Sequence, residues 1–93
     1  MARVDKILEK WRNNPPKEAP KERVLSILKR YFSKNYKEKP GSHIVVRDDR
    51  LKGMPDYGPD GTFDVPVKGG QKVKGYYLKR LARTIKLLEE MEE

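Results

Sequence analysis

Ser42-His43-Ile44-Val45-Val46-Arg47 and Thr62-Phe63-Asp64-Val65-Pro66-Val67 each alternate along the chain, and this period of two decides the fold. In the first stretch Ile44 and Val46 share one face, while His43, Val45 and Arg47 share the other. In the second, Phe63, Val65 and Val67 oppose Thr62, Asp64, Pro66 and Lys68. Two such half-buried strands joined by Gly, Pro and Asp read as an antiparallel hairpin. Its loop, from about Asp48 to Gly61, is long, with a turn at Pro59-Asp60-Gly61. A third strand is expected at Tyr36–Lys39, ended by Pro40-Gly41.

On either side the period lengthens to that of a helix. Val4, Ile7, Leu8 and Trp11 form one stripe, which Asn13-Asn14-Pro15-Pro16 stops. A second helix starts near Pro20 with Val24, Ile27, Leu28 and Tyr31 on its apolar face. A third begins at Gly75 or Tyr76 and buries Leu78, Leu81, Ile85 and Leu88, exposing Lys79, Arg80, Arg83 and Lys86. The predicted class is α+β, in the order α-α-β-β-β-α. Residues 1–93 form a single domain with an N-terminal helix at about 3–13 and a Pro-rich connector at 14–20. The helices cover the apolar sheet face and leave the opposite face open.

Composition narrows the chemistry. Lys and Arg number 22 against 14 Asp and Glu, a net charge of +8, and residues 1–40 alone carry +7. A polyanion or an acidic protein is therefore the first partner to consider. The absence of cysteine excludes disulfides, Cys-ligated zinc and a thiol nucleophile, and a single histidine excludes a multi-His metal site. No cofactor is expected. The longest apolar runs, such as Ile44-Val45-Val46, fall far short of the ~20 residues of a membrane span. The first residues lack a signal-peptide core, so a cytoplasmic protein is expected.

His43 is the leading chemical candidate. Histidine is the one side chain whose unperturbed pKa, ~6.5, lets it take and return protons near neutrality. On the open face, with Arg47 and Lys68 nearby, it could take the proton of an RNA 2′-hydroxyl while the cations stabilise the phosphorane oxygens. Its plainer reading is an ordinary strand histidine. Lys68-Gly69-Gly70-Gln71-Lys72-Val73-Lys74-Gly75 offers glycines for close backbone approach and three lysines for phosphates, without a Walker pattern. Alone it reads as a charged strand-to-helix loop. Asp56, Asp60 and Asp64 lack calcium-loop spacing and suit turns. Tyr76-Tyr77 offers rings for base stacking, one of the pair being expected in the core, as is Trp11.

Gly41-Ser42-His43, the strand Ile44–Arg47, Val65-Pro66-Val67-Lys68-Gly69-Gly70, and Val73-Lys74-Gly75-Tyr76-Tyr77-Leu78-Lys79 follow one another in order. Together they resemble the HicA family of mRNA interferase toxins, over about residues 4 to 88. The resemblance implies a fold similar to a double-stranded-RNA-binding domain, metal-independent endoribonuclease activity on mRNA, and control by a HicB-type antitoxin. The family's essential histidine maps onto His43. Ser42, Arg47 and Lys68 would hold the phosphate; Lys72, Lys74, Lys79, Arg80 and Arg83 would dock the RNA backbone. Three departures stand out: Ile44 where many members have a second histidine, Lys68 where many have another, and the long 48–61 loop. They leave Lys68, a tyrosine or water to protonate the leaving 5′-oxygen. The alternatives are a non-catalytic RNA-binding module on the same surface, and a protein-interaction domain with no role in RNA.

Overall fold

Apolar residues three and four apart set the first helix, α1 (Ala2–Asn13), in the computed structural model, which describes residues 2–33, 35–39, 43–69 and 71–91, with side chains from residue 6 onward. Leu8 and Trp11 are buried in the common core. The amide of Asn14 closes a last turn on the Lys10 carbonyl at 2.7 Å before Pro15 and Pro16 end the helix. The stretch expected as a connector then contains a strand, β1 (Glu18–Pro20). It leads directly into α2 (Lys21–Phe32), where Pro20 stands at the N-cap with extended backbone and not in the first turn.

Three strands follow: β2 (Tyr36–Lys39), β3 (His43–Arg47) and β4 (Thr62–Pro66), antiparallel in the order β2-β3-β4. The alternation reads as expected. Ile44, Val46, Phe63 and Val65 are buried, while their strand neighbours are half-buried or exposed. The buried face meets the helices: Val24, Ile27, Leu28 and Phe32 of α2 and Leu78, Leu81 and Ile85 of α3 (Gly75–Met91) join it in one cluster. Phe32 and Phe63 meet edge to face, with centroids 6.1 Å apart.

The chain order departs from the expected one by two short strands. The segment read as a charged loop before α3 holds β5 (Lys72–Lys74), which pairs antiparallel with β1. Ala19 and Val73 face each other across this two-stranded sheet, and both are buried. Backbone hydrogen bonds from Lys21 to Gln71 (2.7 Å) and from Gly75 to Lys17 (2.8 Å) extend the pairing at both ends. The crossing is tight: a side chain at Gly75 would run into the Pro16 carbonyl. The architecture is thus a three-stranded antiparallel sheet backed by helices, with a two-stranded clasp joining the two ends of the fold.

The long loop between β3 and β4 is built into the core. Leu51, in a 3-10 turn at Asp49–Leu51, is fully buried. Asp48 caps that turn, accepting from the Arg50 amide (2.9 Å), from Arg50 Nε (3.0 Å) and from Arg50 Nη2 (2.8 Å). These hydrogen bonds from Arg50 hold the Asp48 carboxyl below its ordinary range, outweighing the opposing effect of burial. The loop closes where the Asp48 amide donates to the Gly61 carbonyl at 2.9 Å. Farther along, Tyr57 donates its hydroxyl to Thr84 Oγ1 of α3 (2.6 Å), which in turn donates to the Arg80 carbonyl (2.9 Å). Among the described residues no helix is long and apolar enough to cross a membrane.

Candidate nucleic-acid interface

Register, more than spacing along one strand, determines which groups share the open face. Residues opposite each other in antiparallel strands project to the same side, with Cβ atoms about 4.5–5.5 Å apart. Lys39 pairs with His43, and His43 with Pro66. The next rung on that face is Lys37, Val45 and Asp64; beyond it, Arg47 pairs with Thr62. Among the described residues no helix covers this side: Lys37, Lys39, Arg47 and Asp64 are exposed, and His43 and Val45 half-buried.

The imidazole therefore stands where the sequence placed it, on the uncovered face, and its nearest cross-strand cation is Lys39. Spacing along a single strand does not single out Lys39. The signal was present, because strands ending at Lys39 and beginning at His43 with three residues between them pair in that register. Arg47 shares the face but lies four residues along β3, about 13 Å away at ~3.3 Å per residue. It suits a neighbouring phosphate better than the one beside His43. It also stands 4.0 Å from Asp49.

Lys68 lies two residues beyond Pro66, so the turn that follows β4 leaves the sheet at the His43 end. It is exposed, and its backbone bridges to Lys72. Gly69 has φ +59, a conformation that glycine adopts without strain and other residues rarely do. Lys72 reaches Glu18 at 3.6 Å, and Lys74 is exposed at the far end of β5. Ser42 lies outside the described residues, as do Gly41 and Gly70.

The basic residues of α3 are placed elsewhere. Their helix belongs to the layer packed against the buried face, so Lys79, Arg80 and Arg83 do not join the open face. Arg80 is already engaged: Nη2 donates to the Asp56 carbonyl at 2.6 Å, and the guanidinium lies 5.7 Å from the ring centroids of both Tyr57 and Phe63. The sequence treated it as a solvent-facing RNA contact; the structure makes it the bolt between the long loop and the helix. Lys79 and Arg83 flank a separate groove beside that loop.

Chemically, the open face offers an imidazole able to accept and return a proton, a primary amine across the strand from it, and a lysine-bearing turn at the same end. Nothing there gathers anionic ligands: among the described residues no three His, Cys, Asp or Glu side chains are grouped as a metal site requires. No protein-family model matches the chain, and no curated protein or solved structure matches it either.

Proposed function

We propose that the chain is an RNA-binding endoribonuclease that holds a message across the open face of the three-stranded sheet and cuts it beside His43. This is the activity of the HicA-type mRNA interferases that its motifs resemble. The observation that carries the proposal is the register that sets Lys39 directly opposite His43 on a face no helix covers. The succession of α2, the three-stranded sheet β2-β3-β4 and, after the short β5, α3, with both helices behind the sheet, supports a fold of the double-stranded-RNA-binding type. The net charge of +8 suits RNA as substrate and an acidic HicB-type antitoxin as the controlling partner.

The proposed reaction needs only the RNA itself. His43 takes the proton of a 2′-hydroxyl, and the 2′-oxygen forms a bond to the adjacent phosphorus. The bond from phosphorus to the 5′-oxygen breaks, and that oxygen leaves with a proton from the Lys39 ammonium or from water. The products are a 2′,3′-cyclic phosphate and a 5′-hydroxyl. Lys39 and Lys68 stabilise the extra negative charge on the phosphorane, where fixed cations contribute most.

A defined message incubated in EDTA with purified wild type, His43→Ala and Lys39→Ala tests this. General-base removal should slow cleavage by roughly 10²–10⁴-fold. Lys39→Ala should slow it without abolishing it, and a single 2′-deoxy substitution should protect the bond it precedes. Equal cleavage by wild type and His43→Ala would remove the imidazole from the reaction. A second reading, RNA binding without cleavage, is favoured by one feature: His43 is the chain's only imidazole, leaving no second one to act as acid. Intact RNA after long incubation, together with steeply salt-dependent affinity, would establish that reading instead.

A further inference from the structure

The long loop and α3 enclose a groove of about 650 Å³ on the helical side of the molecule. Its apolar lining includes Met54 and Leu87, and its rim carries Tyr76, Lys79 and Arg83. Tyr76 is 73% exposed, unusual for so large a ring. Its neighbour Tyr77 meets it edge-on, at 5.0 Å and 86°, and packs partly against the core. Lys79 and Arg83 stand three and seven residues beyond Tyr76, on the same side of the helix. Among the described residues neither has a carboxylate partner.

A wall tied to α3 faces them. Tyr57 and Asp56 are held to α3 through Thr84 and Arg80, so the groove does not depend on a loop free to collapse. Asp56 lines the same groove on the loop side, which leaves the helix side as the seat for negative charge. An exposed ring with two unpaired cations within two helical turns is the pairing that single-stranded nucleic acid requires: stacking for a base and charge for its phosphates.

We infer that this groove is a second nucleic-acid seat, in which a single-stranded base stacks on Tyr76 while Lys79 and Arg83 hold the flanking phosphates. It lies outside the cleavage site proposed on the open sheet face and does not require His43 to be catalytic. It would bind an unpaired stretch of a longer RNA, whatever its base sequence, because every base presents a π face.

The test uses a fluorescently labelled oligothymidylate dodecamer, which has no 2′-hydroxyl and so reports binding without cleavage. Its affinity is measured by anisotropy over a range of salt with the full chain. Tyr76→Ala should weaken binding by about 5–150-fold, the loss expected for one stacked base, and Tyr76→Phe should retain it. Lys79→Ala combined with Arg83→Ala should lower the slope of log affinity against log salt by about 1.4. All three positions are at the surface, and matching urea midpoints would show that the variants fold.

Unchanged affinity in Tyr76→Ala would overturn the inference, as would equal losses in Tyr76→Phe and Tyr76→Ala. A glutamate dodecamer competing with equal strength and the same dependence on Tyr76 would overturn it too, in favour of an acidic peptide. The two proposals fail separately. Loss of RNA cleavage in His43→Ala with normal oligothymidylate binding by Tyr76→Ala removes only the groove. The converse pair of results removes only the sheet-face reaction.

Discussion

Replacing Asp48 by asparagine should loosen the β3–β4 loop by an amount that depends on pH. Three hydrogen bonds from Arg50, two from its guanidinium and one from its backbone, end on this one carboxylate. The Asp48 side chain is only 11% exposed, while that of Arg50 is 34% exposed. Hydrogen bonds to charged groups are worth ~1.5–3 kcal/mol when desolvated, but water recovers part of that at Arg50, leaving about 1–2 kcal/mol for Asp48→Asn. For a domain of this size each kcal/mol moves Tm by roughly 4–8 °C. The folded carboxyl titrates below its unfolded counterpart, whose pKa is ~3.9. Its contribution is therefore complete at neutral pH, begins to fade as the unfolded form takes up protons, and disappears as pH drops through the folded value. Urea unfolding of both proteins at several pH values between 7 and 2.5 measures the difference directly, since other titrating groups are common to both. The gap should be widest near pH 7 and close toward the acid end. A gap that stays constant across this range would refute the assignment of the stabilisation to an ionised Asp48.

Two further predictions concern the same loop. Thr84 is fully buried and sits between the Tyr57 hydroxyl and the Arg80 carbonyl, so Thr84→Val and Tyr57→Phe should each destabilise by about 1 kcal/mol. The double variant should cost about 1 kcal/mol less than the sum, read from urea midpoints, and simple additivity would show that the bond contributes nothing. Gly61 has φ +78, and a side chain there would meet the Asp48 carbonyl, so Gly61→Ala should cost about 2–3 kcal/mol; a Tm within 3 °C of wild type would contradict that.

What the sequence revealed, and what it hid, follows from range. The alternation at His43–Arg47 and Thr62–Pro66 and the stripes of α2 and α3 are local patterns repeated over enough residues to be read, and the elements form where those patterns lie. The strands Glu18–Pro20 and Lys72–Lys74 have three residues each, too few to show a period. Their stability comes from each other and from the burial of Ala19 and Val73, which no local rule reports. Arg80 posed a different problem. On a helical wheel a guanidinium facing water and one facing a returning loop look the same, and only the position of Asp56 and Tyr57 distinguishes them. His43 was legible because strand parity fixes its face, whereas Lys39 required the register between two strands.

The clasp between β1 and β5 also dictates when the molecule can become whole. Pro20 must wait for Lys72, about fifty positions downstream, before either strand has a partner, and closing so long a span is entropically expensive until the intervening chain has collapsed. During translation, at ~5–20 residues per second, the interval from Glu18 to Lys74 lasts about 3–11 s. Throughout that time Ala19 and Trp11 lack the surfaces that later shelter them. A companion that shields Ala19 would therefore act on the nascent chain before β5 closes the clasp, with all three strands of the open sheet already made.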